Sequence, residues 1–549
     1  VILSGVIALT LSPMMCSKIL TIDIGQSKLV HYIDTRFEKL KNFYQRMLHN
    51  VLNYRPVTLV FAGIVLVSCV LLYTTSQQEL APEEDQGVLF VNSTAPQYAN
   101  LNYTEAFTKK VDQVFAGYPS VSDYFTVNSP TSAMSGAIMK PWDERTQSQH
   151  ELNMDVQPKL KAQVAGLRSV VYPLPSLPVG GSPLQIQFAL NTIEPFDYLY
   201  PYAVQLEQAA QKSGLFLVIN STLTFDKPQI HVEINRDKAA TMGINMANIG
   251  NALATALSGS NINQSNMRLN QFNMEGRSYD VIPQVGQSFR YNPDDLNHIY
   301  IATGSGTLVP LSTIVTISKL TKPNSLTSFQ QLNSATLSGM MMPGHTIAEG
   351  LKFLQNQSAK ILPANISYDY AGLSRQYIQE GSALVYTFAF SIIVIFLVLA
   401  AQFESFRDPF VILISVPLSI CGALIPINMG FASINIYTQI GLITLIGLIS
   451  KHGILMVEFA NQLQREEGLS IREAIEKSAS IRLRPILMTT AAMVVGVIPL
   501  LVATGAGAVS RFDIGIVIAA GMLIGTMFTL FVVPTMYTFV ARKHQPMAH

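Results

Sequence analysis

Charge is scarce in this chain of 549 residues. Only 13% are Asp, Glu, Lys or Arg, about half the ~25% of an ordinary soluble protein, while hydrophobic residues make up 49%. The net charge is +1, which leaves no bulk attraction to nucleic acid, so no nucleic-acid partner is expected. The three cysteines, Cys16, Cys69 and Cys421, each fall inside an apolar run and read as small packing residues, not a disulfide framework. The chain has no HExxH, no GxSxG and no Cys/His zinc spacing, so no enzyme is expected. Residue 1 is Val, and the chain opens in the run VILSGVIALTLSPMMCSKIL. That run has neither the basic leader nor the cleavage site of a signal peptide. The sequence therefore reads as a piece that begins inside a larger protein.

Long apolar runs are abundant. A bilayer core of about 30 Å takes roughly 20 apolar residues per helix. Seven stretches meet that length: 1–20, 56–75, 382–401, 409–429, 436–458, 485–504 and 513–541. Lys28, Arg36, Lys39, Lys41, Arg46 and Arg55 crowd the segment 21–55, and Arg465, Arg472, Lys477, Arg482 and Arg484 crowd 461–484. Arg542 and Lys543 open the tail, 542–549. If all seven runs span, these basic segments share one side, with Arg511 the exception on the other. The basic side is cytoplasmic, and residues 76–381 lie outside. In RFEKLKNFYQRMLHNVL, residues Phe37, Leu40, Phe43, Tyr44, Met47 and Leu48 recur at helical spacing. That pattern suggests an amphipathic helix on the cytoplasmic face of the membrane.

The outer region alternates between strand and helix patterns. A strand at 89–96, a helix at 101–117, strands near 121–128 and 135–140, a helix near 146–164 and a strand at 168–172 follow one another. This is the β-α-β-β-α-β plan. The Pro- and Gly-rich stretch PLPSLPVGGSP at 173–183 marks a boundary. The pattern then restarts with a strand at 184–190, a helix at 196–214 and a strand at 215–224. It resumes near 335–341 with strand, helix (346–362) and strand (366–372). The predicted fold class is an α-helical membrane bundle with an α+β outer domain of two ferredoxin-like subdomains. The first is 76–182. The second is 183–227 with 321–381, split by an insert at 228–320. A five-helix membrane region, 382–541, follows.

Several stretches are highly distinctive: Leu80, Pro82, Glu83, Glu84, Asp85, Gln86 and Gly87; KPWDER at 140–145; INRDKAATMGI at 234–244; LAAQFESFRDPF; IGLITLIGLISKHGILMVEFA; and RLRPILMTT. On these the sequence resembles the resistance–nodulation–division (RND) pumps of the hydrophobe/amphiphile efflux branch, the branch of AcrB and MexB, nearly end to end. The resemblance implies the inner-membrane permease of a tripartite pump, driven by a proton gradient with no bound cofactor. It implies a homotrimer, a periplasmic adaptor (membrane fusion) protein and an outer-membrane channel of the TolC type, with hydrophobic small molecules as substrates. The two subdomains would be porter subdomains and the insert part of a docking domain. The N-terminal half of such a pump is missing here.

The resemblance places the family's proton-relay lysine at Lys451 and its arginine and threonine at Arg482 and Thr489. Spacing is consistent with this. Arg482 and Thr489 are seven apart, two turns on one face, and Lys451 lies well inside an apolar run, where a lysine costs about 2.5–3.5 kcal/mol. Glu458 reads as a helix-end residue, and His452 points to another face and reads as structural. No acid stands in the core of a span, so the anionic partner that Lys451 needs would come from the missing half. For the substrate pocket, Tyr124 and Phe125 precede NSPTSAMSGAIM, which matches a shortened switch loop without aromatics. The family's phenylalanine falls at about Gly136, so Met134, Ile138 and Met139 are candidates to line the site. Leu184, Ile186 and Phe188 alternate and match the pocket entrance. Ordinary strand packing remains the alternative for all of these. The rival functions are a heavy-metal RND exporter, using Met340, Met341, Met342 and His345, and a membrane-anchored periplasmic protein that does not transport.

Overall fold

The computed structural model describes residues 2–19, 28–177, 184–257, 270–323, 325–342 and 344–543. The expected linker residues 178–183 and tail residues 544–549 lie outside the described residues. Apolar sequence at the start forms helix α1 (Ile2–Ile19). Helix α2 (Lys28–Asn53) follows, then α3 (Arg55–Thr75), which Pro56 opens. Proline suits a first turn because its missing N–H would have no partner there. On α2, Tyr44, Leu48 and Leu52 are buried against the helix bundle, and the Tyr44 hydroxyl donates to the Leu530 carbonyl at 2.7 Å. Leu40, Phe43 and Met47 form a second, exposed stripe. The helix is thus apolar on two faces, one taken by protein.

The first outer unit contains β1 (Val88–Thr94), α4 (Leu101–Ala116), β2 (Val121–Asn128), β3 (Ser132–Met139), α5 (Gln149–Gln163) and β4 (Arg168–Pro173). Its strands pair antiparallel in the order β2-β3-β1-β4. Period-two alternation sends Leu89, Val91, Ala137 and Val171 to the helix side and leaves Phe90, Gly136 and Tyr172 on the other. Asn100 caps α4 and a Ser148–Glu151 capping box starts α5, each satisfying backbone donors that would otherwise lack partners.

The second unit repeats the plan with β5 (Ile186–Thr192), α6 (Phe196–Lys212) and β6 (Phe216–Ser221). The chain then leaves on β7 (Lys227–Ile234) through α7 (Arg236–Thr241), α8 (Met246–Leu257), β8 (Asn270–Met274), β9 (Arg277–Val281), β10 (Tyr300–Ala302) and β11 (Leu308–Pro310). It returns on β12 (Val315–Lys322), which pairs antiparallel with β7 over its length. Ala239, Ile244, Ile249, Ile301, Leu311 and Ile314 give this insert its own core. The unit closes with β13 (Thr327–Phe329), β14 (Leu332–Met341), α9 (Ile347–Ile361) and β15 (Ser367–Tyr370). β14 pairs with β5, β6 and the short extra strand β13, and β15 pairs with β5. The order β6-β14-β5-β15 therefore repeats that of the first sheet.

The remaining chain is helical: α10 (Gly372–Phe403), α11 (Arg407–Leu413), α12 (Ser415–Asn428), α13 (Ile436–Glu466), α14 (Ile471–Leu501) and α15 (Ala508–Val540). Pro417 has no N–H to donate to Leu413, which accounts for the break between α11 and α12. Six helices among the described residues are long and apolar enough to cross a membrane, with α11 and α12 together forming one span. The seventh expected span, α1, is not among them. α13 and α14 overrun their expected spans by a turn or more on the basic side. The Ser470–Glu473 capping box starts α14 at Ile471, well ahead of the expected 485.

A short acidic segment after α3 ties the membrane bundle to the outer units. Glu84 is buried and accepts from the backbone of Ser510 (2.7 Å) and Val509 (3.3 Å) and from the Ser510 hydroxyl, so its charge sits at the start of α15. Asp85 takes Arg145 at 2.5 Å and the backbone N–H of Gln149 at 3.0 Å. The Glu79 carboxyl accepts from Ser433, and burial pushes it up to about 7.

Candidate functional site

The membrane site is built on α13. Residues Thr444, Gly447, Lys451 and Glu458 are exposed and recur at three-, four- and seven-residue steps, so they share one face that none of the described residues covers. On α14, Thr489 is half-buried, donates to the Ile486 carbonyl at 3.0 Å and lies 3.5 Å from His452 Nε2. Thr489 thus sits one residue along α13 from Lys451. Arg482 is half-buried with its guanidinium 4.4 Å from the Phe459 ring centre, and no partner among the described residues reaches its Nε. It therefore borders α13 just under two turns beyond His452. His452, which the sequence puts on another face and reads as structural, is buried inside the bundle. It leaves the Lys451 face, and that turns its ring towards Thr489.

Acids are closer to the bundle than the sequence suggested. Asp408, one residue before the expected span, is buried at 2% exposure at the start of α11. Asn461 donates to its Oδ2 at 3.3 Å. Asp513 is equally buried near the start of α15, where Asn435 donates to it at 2.6 Å. The signal for Asp408 lay in FESFRDPF, where its charge set it just outside the apolar run.

The second candidate site lies on the outer units. The expected switch loop is mostly strand: only residues 129–131 separate β2 from β3, and the Ser129 N–H donates to the Ser132 carbonyl at 2.8 Å. Phe125, Met134 and Ile138 come together on the sheet face away from the helices, partly exposed. Phe125 meets Phe90 edge to face with centroids 6.3 Å apart, and Phe90 stacks on Tyr172 at 5.9 Å. The three rings form a row across β2, β1 and β4. Gly136 makes the row possible, because a Cβ there would collide with the Phe125 ring. Phe90 and Tyr172 were missed in the sequence, although alternation from Leu89 and Val171 puts both on this face.

Four expected pocket residues do not join this row. Tyr124 takes the opposite strand face from Phe125. Met139 is buried in the core of the first unit. Ile186 and Phe188 are fully buried in the core of the second, with Phe188 stacked on Tyr368 at 5.0 Å. They are packing residues and not a pocket entrance. Alternation looks the same for a strand facing a core as for one facing a ligand, so the sequence could not separate the two. Leu184, just before β5, is half-buried.

Tyr172 leads into a cavity of about 480 Å³ between the two outer units and the segment after α3. Glu79, Glu83, His150, His345, Met154 and Leu217 are among its lining residues, and among the described residues no Lys or Arg is. Met340, Met341 and Met342 also reach it, but a bulge separates Met340 from Met341. Met341 is in the core of the second unit with its sulfur close against Gly350. Among the described residues no group of three or more His, Cys, Asp and Glu could hold a metal ion.

A bundle of membrane-length helices carries a lysine on an exposed face and is joined to two repeated α+β units around a cavity. The AcrB/AcrD/AcrF family model matches residues 1–541, and the chain belongs to this family of RND transporters. It is 40% identical over 556 residues to an uncharacterized transporter of Haemophilus influenzae, covering 100% of this chain and 53% of that protein. It is 30% identical over 560 residues to the multidrug resistance protein MdtF of Escherichia coli, covering 98% and 53%. To the toluene efflux pump membrane transporter TtgB of Pseudomonas putida it is 29% identical over 561 residues, covering 98% and 52%. The chain spans about half the length of the curated relatives it matches.

Proposed function

We propose that this chain is part of a proton-driven exporter of hydrophobic and amphiphilic compounds in the bacterial inner membrane, with residues 76–381 in the periplasm. The observation that carries the reading is Lys451, an intramembrane cation on an uncovered helix face level with Thr489. A lysine there needs an anionic partner. Carboxylates arriving from the rest of the transporter would hold it when ionised and release it when protonated, and so move α13 against its neighbours. The family and the names of its relatives, multidrug and toluene efflux proteins, favour drug-like substrates. Residues 76–182, and 183–227 with 321–381, act as porter subdomains, and 228–320 docks partners. The working assembly is a homotrimer with a periplasmic adaptor and an outer-membrane channel. The aromatic row and the cavity make a substrate path whose largely apolar lining suits hydrophobic and amphiphilic compounds. The heavy-metal reading is the weaker one, because Met341 is packed into the core of the second unit.

The test is efflux of a cationic fluorescent dye from cells expressing the complete transporter. Efflux should stop when a protonophore collapses the gradient. Unchanged dye retention with and without the transporter would overturn the reading.

A further inference from the structure

His452 is fully buried, next in sequence to the lysine that the proposed mechanism uses, and that mechanism gives it no role. An ionisable side chain inside a membrane bundle is costly unless its polar atoms are matched. Here they are matched by hydroxyls alone. Nε2 lies 3.5 Å from Thr489 Oγ1 and 3.4 Å from Thr490 Oγ1, both on α14, and Nδ1 lies 3.4 Å from Thr526 Oγ1 on α15. The directions of these bonds follow from the other partners of the hydroxyls. Thr489 and Thr490 both donate to the Ile486 carbonyl, at 3.0 and 2.9 Å. They are left to accept, so Nε2 carries the proton and Nδ1 accepts from Thr526. Thr526 Oγ1 also lies 3.1 Å from Thr490 Oγ1, a contact left without a hydrogen of its own once Thr490 donates to Ile486 and Thr526 to Nδ1. A neutral imidazole satisfies this arrangement with one donor and one acceptor. On the adjacent Gly453, Ile412 of α11 packs with an apolar side chain. The charged group beside the imidazole is Lys451, on its own helix.

We propose that His452 is a positioning residue for the relay: a neutral imidazole that orients Thr489 beside Lys451 and fastens α13 to α14 and α15 at that level. When the charge state around Lys451 changes, α13 moves with α14 and α15 instead of sliding past them, because the imidazole binds all three helices. This inference rests on the proposed role of Lys451.

The experiment is dye efflux by the complete transporter, scored against membrane abundance and trimer content. His452→Leu keeps bulk but removes both polar atoms, and should lower efflux by about tenfold, the scale of one lost buried hydrogen bond in the moving state. His452→Gln supplies an N–H donor and an acceptor without a titrating ring, and should keep efflux within about twofold at normal abundance, with an unchanged pH profile. Thr489→Val combined with His452→Leu should be no worse than either alone, since both remove the same link. Wild-type efflux by His452→Leu overturns the proposal. So does an additive loss in the double variant, or a His452→Gln variant as inactive as His452→Leu. Lys451→Ala in the same assay separates the two ideas. If it pumps normally the proton mechanism fails, whereas if it is dead and His452→Leu is active only the positioning role fails.

Discussion

The Phe125 ring lies over the Cα of Gly136 on the neighbouring strand, filling the place where any side chain at 136 would stand. The resemblance aligns an aromatic with position 136, where this chain has glycine. The ring there comes from β2.

This contact makes two substitutions equivalent. Phe125→Ala removes the ring, and Gly136→Val displaces it. Both should change the spectrum of compounds exported in the same direction while membrane abundance stays normal. Growth in a panel of toxic dyes and antibiotics reads this out. A uniform loss for every compound with low abundance would make Phe125 a packing residue only.

Lys451→Ala should abolish dye efflux and leave assembly intact. Carboxylates facing an empty position in a low-dielectric bundle favour their protonated form, so the gradient could no longer switch them. Lys451→Arg should recover only part of the activity, because a planar guanidinium is larger than an ammonium. Arg482→Ala should be milder, since that side chain lies against Phe459 beyond the level of Thr489. Wild-type efflux by Lys451→Ala would remove Lys451 from the mechanism.

Asp85→Ala should strip Arg145 of its carboxylate while the arginine side chain stays only 2% exposed. Leaving a buried charge without its partner costs about 3–5 kcal/mol. The detergent-solubilised protein should therefore melt well below wild type. Asp85→Ala with Arg145→Met should recover part of the loss, and a double variant as unstable as the single would refute the pairing.

Burial holds the Glu79 carboxyl up to about 7, from an ordinary 4.5. The folded protein therefore keeps a proton there that the unfolded chain gives up. The stability from this group is full below about 4.5 and is lost as pH rises through about 7. Relative to Glu79→Gln, the wild-type melting temperature should fall between those two pH values. A flat difference would show that the carboxyl is not held protonated.

Orientation is checked with single cysteines after Cys16, Cys69 and Cys421 are replaced by serine. A membrane-impermeant thiol reagent applied to cells with a permeable outer membrane should label Ser305→Cys and spare Asn42→Cys. The reverse pattern would invert the assigned sides.

The sequence by itself determined the elements and the repeat. Hydrophobic periods of 2 and 3.6 are local properties, so β1 to β4 and their counterparts around the insert fall within a few residues of the expected bounds. Six of the seven long apolar runs likewise form helices long and apolar enough to cross a membrane among the described residues. Lys451 was legible because a lone charge in such a run is conspicuous. The tertiary structure decided which face each alternating residue takes. It sent Ile186, Phe188 and Met139 into cores and brought Phe90, Phe125 and Tyr172, 35 and 47 residues apart in the chain, into one row. It also decided what His452 touches. Its threonines lie 37 to 74 residues away on other helices, and no local period carries the rotation of one packed helix against another. Charge has the same limit. Asp408 and Glu84 look exposed in sequence, and only the packing of distant helix ends buries them beside donors.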